Sequence, residues 1–284
     1  MTVFENPSAS TVVQEVPSYP DIPLCKGSEE RPLSASLKQF WLGEIDVRWT
    51  DLILLACTFC SGLVDGLAFN TWGNYVNMHT GNTLFIALAI SGKPDYSNKL
   101  WIRAAMAVVS FLAGNFFFIY YGRLLGPRRR IAIVSSFAIQ TIFLLATALL
   151  VQEHIISPHP DRFEPIHWIQ LVAIVLLSFQ GAGQLVASRF LTVPEIPTVV
   201  LTALVADLLM DPLLYQRPWS SNIKRNRRVG AILTHFAGAT AAGGMIKHTG
   251  LTGGLWLSVA LKGAITLMFV GWNEKPPVPP KDVV

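Results

Sequence analysis

Apolar stretches long enough to cross a bilayer recur through this chain, separated by proline, glycine and charge. Eight segments can be read, at about 50–71, 74–92, 101–122, 131–151, 166–188, 194–211, 228–247 and 251–272. A helix needs roughly 20 residues to traverse the hydrocarbon core. Segments two and six are the shortest and most interrupted. Pro94, Gly126-Pro127, Pro158 and Pro160, Pro194 and Pro197, and Pro212 and Pro218 punctuate the series, and such residues end helices. The composition agrees: 51% of the 284 residues are hydrophobic and 14% charged, against roughly a quarter charged in a soluble domain. The expected fold is an all-α polytopic transmembrane helix bundle with the lipid bilayer as its first partner. It has about eight segments, and the count of crossings falls to six or seven if segment two or six dips in and returns.

The flanks differ in kind. Residues 1–48 are polar and proline-rich ("NPSAS", "VPSYPDIP", "EERPLS") with no apolar core near the start, which reads as a disordered tail without a cleavable signal. A second proline-rich tail covers 273–284. Cys25, Cys57 and Cys60 give no disulfide framework, and "CTFC" reads as small apolar filler inside a span. The basic clusters "GPRRR" (126–130) and "KRNRR" (224–228) each abut an apolar run, so they read as juxtamembrane anchors and not as a nucleic-acid surface. With eight crossings the loop lysines and arginines favour cytoplasmic placement of both termini, with Arg128–Arg130 falling on the opposite side against the trend.

The chain also repeats itself. "RAAMAVVSFLAGNFFFIYYGRLLG" (103–126) lies over "RRVGAILTHFAGATAAGGMIKHTG" (227–250), with Ala113-Gly114 meeting Ala237-Gly238. "GLVDGLAFN" (62–70) lies over "GAGQLVASR" (181–189), placing Asp65 on Gln184 and Asn70 on Arg189. "MHTGNTLFIAL" (78–88) lies over "VVLTALVADLL" (199–209), with Thr80 on Thr202. Two homologous membrane repeats are therefore expected, 49–151 and 152–272. An even number of crossings per repeat gives a pseudo-two-fold axis along the membrane normal, and an odd number inverts the second copy. Short, interrupted segments in matching positions of two membrane halves point to a transport site between them.

The polar residues concentrate where they are least expected. "GNYVNMHTGNTLFIALAIS" (73–91) is half greasy and half hydrogen-bonding. At membrane depth such side chains survive only inside protein or beside a water-filled cavity. Asp65, well inside the first span, is either a proton, cation or ligand site or a carboxylate bonded to a helix end. Asn77, Thr80, Asn82 and Thr83 supply neutral donors and acceptors, for a solute or for gluing helices, and Gly81 allows close backbone approach. His79 is either a relay partner of Asp65 or a histidine at a segment mouth. Gln184, Arg189 and Thr202 are the second-half counterparts, with an Asp65–Arg189 pair across the halves conceivable. Asp207 is the polar intruder of segment six, facing Asp65 or the cytoplasmic interface. Arg103 and Arg227 read as snorkelling residues, and Lys262 has no obvious partner.

"SGLVDGLAF" followed by "NMHTGNTLFIALAI" resembles the signature of the YoaK-like membrane proteins, a family of unknown function. Its motifs fall here on Gly62-Leu63-Val64-Asp65, Met78-His79-Thr80-Gly81-Asn82-Thr83, Gly183-Gln184 with Arg189, and Thr198-Val199-Val200-Leu201-Thr202. The resemblance covers about 50–272. His79 is inserted in the first motif, and Ala203 and Leu185 replace the family's glycine and asparagine. The proline-rich tail and "PEIP" loop look like the fungal branch. The resemblance implies a multi-span membrane fold and no established activity.

The residues thus suit a secondary transporter or channel-like carrier of a small solute or ion, with Asp65 as coupling site and 77–83 as ligand cage. A membrane enzyme using Asp65 and His79 as acid and base, or a non-transporting scaffold, remain the alternatives, and an oligomer is open. No Walker A, HExxH or Gly-x-Ser-x-Gly motif occurs and no spaced His/Asp cluster suggests a metal. The reading assigns no cofactor and leans away from an enzyme.

Overall fold

The computed structural model describes residues 33–92, 100–158, 167–199 and 201–276. The tail expectations for 1–32 and 277–284 lie outside the described residues, as do the connections 93–99 and 159–166 and Val200. The helices are α1 (Leu33–Leu42), α2 (Thr50–Trp72), α3 (His79–Ile90), α4 (Leu100–Leu125), α5 (Arg130–Gln152), α6 (Gln170–Phe190), α7 (Thr202–Leu209), α8 (Ile223–His248) and α9 (Gly250–Val270). Six of them, α2, α4, α5, α6, α8 and α9, are long and apolar enough to cross a membrane. Segments two and six are the exceptions. Their apolar runs contain non-helical stretches, so only 12 residues of α3 and 8 of α7 are helical.

Side-chain contacts fix the helix directions. α2 and α8 run parallel: Arg227 pairs with Asp51 at one end (3.3 Å), and further along Leu55 meets Gly230 and Gly66 meets Ala242. α4 and α6 also run parallel, from Arg103–Gln170 through Ser110–Val175 to Gly122–Phe190. α5 and α9 are antiparallel, with Gln152 on Trp256, Gln140 on Lys262 and Phe137 on Phe269. α5 is antiparallel to α6 (Phe143 on Phe179, Arg128 to the Phe190 carbonyl), and α2 to α9 (Leu67 on Gly254, Asp46 to Trp272). Successive long helices therefore alternate in direction, with three in each half of the chain. The count of three is odd, so α2 and α6 run in opposite senses, and so do α4 and α8, and α5 and α9.

Packing crosses the halves. α2 lies chiefly on α8, and α4 on α6, while α5 and α9 lie against each other. The crossings use the aligned glycines. A Cβ at Gly62 would overlap the His235 carbonyl, and one at Gly238 the Phe59 carbonyl. A Cβ at Gly114 would stand 2.8 Å from Ala182 Cβ and 2.9 Å from the Phe179 carbonyl. Backbones in direct contact gain dispersion where lipid offers no hydrophobic drive.

One end is tied by short polar contacts. Arg130, 2% exposed, donates to the carbonyls of Phe40 and Trp272 and to Glu274 (3.0 Å), and stacks on Phe40. Residues 33–48, read from sequence as part of the tail, are thus ordered: α1 packs on α5 and Ile45 is buried. The foot of α7 is fastened to α8 through Asp211, which accepts from Leu213 N–H, Asn222 and Arg228. The Leu213 N–H first, then Asn222 and Arg228, hold its carboxyl below the usual range.

Candidate functional site

The site begins where the chain breaks. α2 ends at Gly73, which adopts φ 72°, a conformation glycine reaches without penalty. The chain then turns back into the bundle. Asp65, 3% exposed, accepts from the N–H groups of Val76 and Asn77 through one oxygen, both at 2.9 Å. At about 1.5 Å per residue, this draws the loop some 10 Å below the end of α2. Asn82 secures the other side: its Oδ1 accepts from Tyr75 N–H (3.2 Å), and its Nδ2 donates to the Tyr75 carbonyl (2.6 Å). A broken backbone at membrane depth must have its polar groups satisfied by protein, and these two side chains do that. Because the amide of Asn82 is oriented by Tyr75, its Nδ2 also faces His79 Nδ1 (3.3 Å) as a donor. His79 Nε2 meets no partner in strict hydrogen-bond geometry.

Asn77 follows, 2% exposed. A Cβ at Gly181, midway along α6, would overlap its Oδ1, so the amide rests on bare backbone. The Asn77 side chain lies against the Asp65 carboxyl, without reaching strict hydrogen-bond geometry at Asp65 Oδ2.

α3 starts at this depth and leads toward the head of α4, on which it packs. α7 starts near the same depth and leads toward the foot of α8, on which it packs in turn. The two helices are about 18 and 12 Å long at ~1.5 Å per residue, together close to the ~30 Å hydrocarbon thickness. Their N-termini meet at a cavity of about 270 Å³. It is lined by Tyr75 and Asn77–Gly81 from the first half and by Val199, Leu201 and Thr202 from the second. Neither N-cap residue, Met78 or Leu201, supplies a capping side-chain hydrogen bond. Gly81 allows the Tyr75 ring to lie on the first turn of α3, 3.0 Å from where a Cβ would stand.

The sequence-derived residues divide accordingly. Asn77, His79, Thr80 and Thr202 line the cavity, and Asp65 and Asn82 lie behind it, holding the loop. Thr83 bonds the Thr80 carbonyl within its own helix. Gln184 faces α2, donating to Ser61 Oγ (2.7 Å) and the Cys57 carbonyl (2.9 Å). Arg189 is not paired with Asp65: it sits exposed at the far end of α6, donating to the Pro194 carbonyl. Asp207 is exposed on α7 outside the cavity. Arg103 is fully buried, donating to the Trp72 carbonyl and Gln170, and Arg227 pairs with Asp51 and Glu195, so neither snorkels. Lys262 finds Gln140 Oε1 at 2.6 Å. Sequence reasoning missed Tyr75, Gly181, Val199 and Leu201 at the site. For Gly181, its alignment on Gly62 was the available signal.

A protein-family model described as "Protein of unknown function (DUF1275)" matches residues 53–268. No curated protein and no solved structure matches the chain.

Proposed function

The chain belongs to the DUF1275 family of proteins of unknown function, and from that starting point we propose that it moves a small solute across its membrane through the cavity between α3 and α7. One observation carries the proposal: two half-length helices, one from each half, meet N-terminus to N-terminus at mid-depth around that cavity. Discontinuous helices of this kind put unsatisfied backbone and oriented dipoles where a solute crossing the bilayer needs replacement for its hydration. The proposal treats the two halves as inverted repeats. Its support is the exchange of equivalent helices, α2 on α8 and α4 on α6. The enzyme alternative loses ground because Asp65 and His79 bond different partners, each serving the loop.

Six crossings also bear on orientation. Arg123, Arg128–Arg130, Arg189, Lys224, Arg225, Arg227 and Arg228 then share one end with α1 and the segment that follows α9. The other end receives Arg103 and Lys247. The proposed cytoplasmic end is the first. An impermeant maleimide on intact cells should label Asp95→Cys and spare Arg217→Cys, in a background with Cys25 replaced by serine. The reverse pattern would invert the topology.

Transport is tested with the purified protein in sealed vesicles. Light scattering after mixing with a series of one- to four-carbon solutes should show at least one entering faster than into empty vesicles. Gly81→Leu, whose side chain would displace the Tyr75 ring into the cavity, should cut that rate at least about tenfold, equivalent to ~1.4 kcal/mol. Rates equal to those of empty vesicles throughout would remove the proposal.

A further inference from the structure

We infer that the groove between α1 and α5 seats an acyl chain of an anionic glycerophospholipid, with the lipid phosphate on Lys38. The inference goes beyond the transport reading and does not depend on it.

Two matching stripes build the groove. Lys38, Trp41 and Leu42 come from α1, and Ile131, Val134 and Ser135 from α5. Each set is spaced i, i+3, i+4, which places its members on one helix face. The Ser135 hydroxyl turns back to its own helix, donating to the Ile131 and Ala132 carbonyls. The walls are therefore apolar, and Lys38 supplies the single charge beside a volume of about 590 Å³.

Depth identifies the surroundings. α5 has 23 residues, about 35 Å at ~1.5 Å per residue, against a hydrocarbon thickness of ~30 Å. Its first turns thus lie at the membrane boundary, and the groove reaches only from Ile131 to Ser135. Arg130 fixes α1 at this level, donating to the Phe40 carbonyl and stacking on the Phe40 ring. Leu37, Phe40 and Leu42 of α1 are exposed, and so is Trp49 after it. Exposed leucine and aromatic side chains beside a lysine are the pattern of a helix lying in the headgroup region.

Charge selects among lipids. Lys38 is exposed and makes no ion pair or hydrogen bond with the described residues. The carboxylates near α1 have other partners: Glu274 pairs with Arg130, and Glu44 with Lys275. The methylene stem of a lysine lies along apolar surface while its ammonium reaches the headgroups. Arg129, exposed at the start of α5, adds positive potential at the same level. A zwitterionic lipid brings its own cation to compete with Lys38, and a sterol brings no counter-charge. A protein partner of standard size covers ~800 Å² per side, far more than six side chains present. This end is also the proposed cytoplasmic one, the side on which anionic lipids concentrate.

The test uses the purified full-length chain in neutral detergent at constant ionic strength. Dioleoyl phosphatidylserine should raise Tm in a saturable way. Dioleoyl phosphatidylcholine, with the same chains, should show an apparent Kd at least about tenfold higher. Glycerophosphoserine, the headgroup without chains, should give no shift. Lys38→Gln changes an exposed side chain, so it should fold as the wild type does and lose the preference for phosphatidylserine. Lys38→Arg should keep it. Ser135→Trp fills the groove from α5 and should abolish the response to both lipids. Arg123→Gln removes an exposed charge at the same end, outside the groove, and should change nothing. Equal responses to the two phospholipids, or a preference that survives Lys38→Gln, would reduce the effect to general attraction and overturn the inference. A shift with cholesterol in place of phosphatidylserine gives the groove to a sterol and overturns it too. So does a dimer on size exclusion that Ser135→Trp dissociates, or the absence of a saturable shift with any lipid.

Discussion

Replacing Asp65 with alanine is expected to unfold the break between α2 and α3. The carboxylate accepts two N–H groups from a buried loop, at Val76 and Asn77, and no other acceptor is bonded to them. Leaving a buried donor unsatisfied costs about 1–3 kcal/mol, so the loss should be about 2–6 kcal/mol. Asp65→Asn keeps an acceptor oxygen and should recover most of it. The measurement is Tm in detergent, together with proteolysis at the 73–78 loop. Equal stability of all three forms would show that the loop holds itself. The comparison also separates two roles for Asp65. As a loop anchor it tolerates asparagine in both stability and transport. As a coupling proton site it would keep stability and lose the pH dependence of uptake.

The largest loss of folding is expected at the glycine crossings between halves. Gly62→Val and Gly238→Val each drive a branched side chain into the backbone of the facing helix, at the carbonyls of His235 and Phe59. Overpacking a core typically costs about 1–3 kcal/mol. Here the obstacle is backbone and cannot rotate aside, so the cost should exceed that range and the protein should fail to yield a monodisperse peak on size exclusion. Gly243→Val and Gly244→Val serve as controls. A Cβ there meets nothing within 4 Å, and those variants should behave as the wild type. Normal behaviour of Gly62→Val would mean that α2 and α8 do not touch as described.

Hydropathy alone gave the membrane class, and the reason is local: each span must be apolar over its own length whatever it packs on. The weakness of segments two and six was also legible, because "GNYVNMHTGNT" and "PEIPTVVLT" mix polar residues and prolines into apolar runs. Hydropathy leaves open whether they cross or dip in and return. An apolar run counts the same whether it is helical throughout or contains a loop, and residues 73–78 are loop. Under the eight-crossing reading, Arg128–Arg130 stand against the expected charge pattern. With six crossings they join the other clusters.

The site was half legible. The repeat alignment set Thr80 on Thr202, and both line one cavity. Asp65 drew attention as an ionisable group in a span, yet its bond runs forward to residues 76 and 77 and not across to Arg189. Lys262 looked unpartnered because its acceptor, Gln140, is a neutral amide on another helix, which no charge pattern reveals.

The sequence by itself determined a helical membrane bundle, its two interrupted segments and the polar residues they carry. Those properties depend on the solubility and propensity of each stretch taken alone. Only the tertiary structure decided where the two interrupted segments break, the packing of helices between halves and the approach of α3 and α7 to one cavity. Those depend on where a broken backbone finds its hydrogen-bond partners and on which helices can bring bare glycine backbone together. Both are set by residues far apart in the chain and close in space.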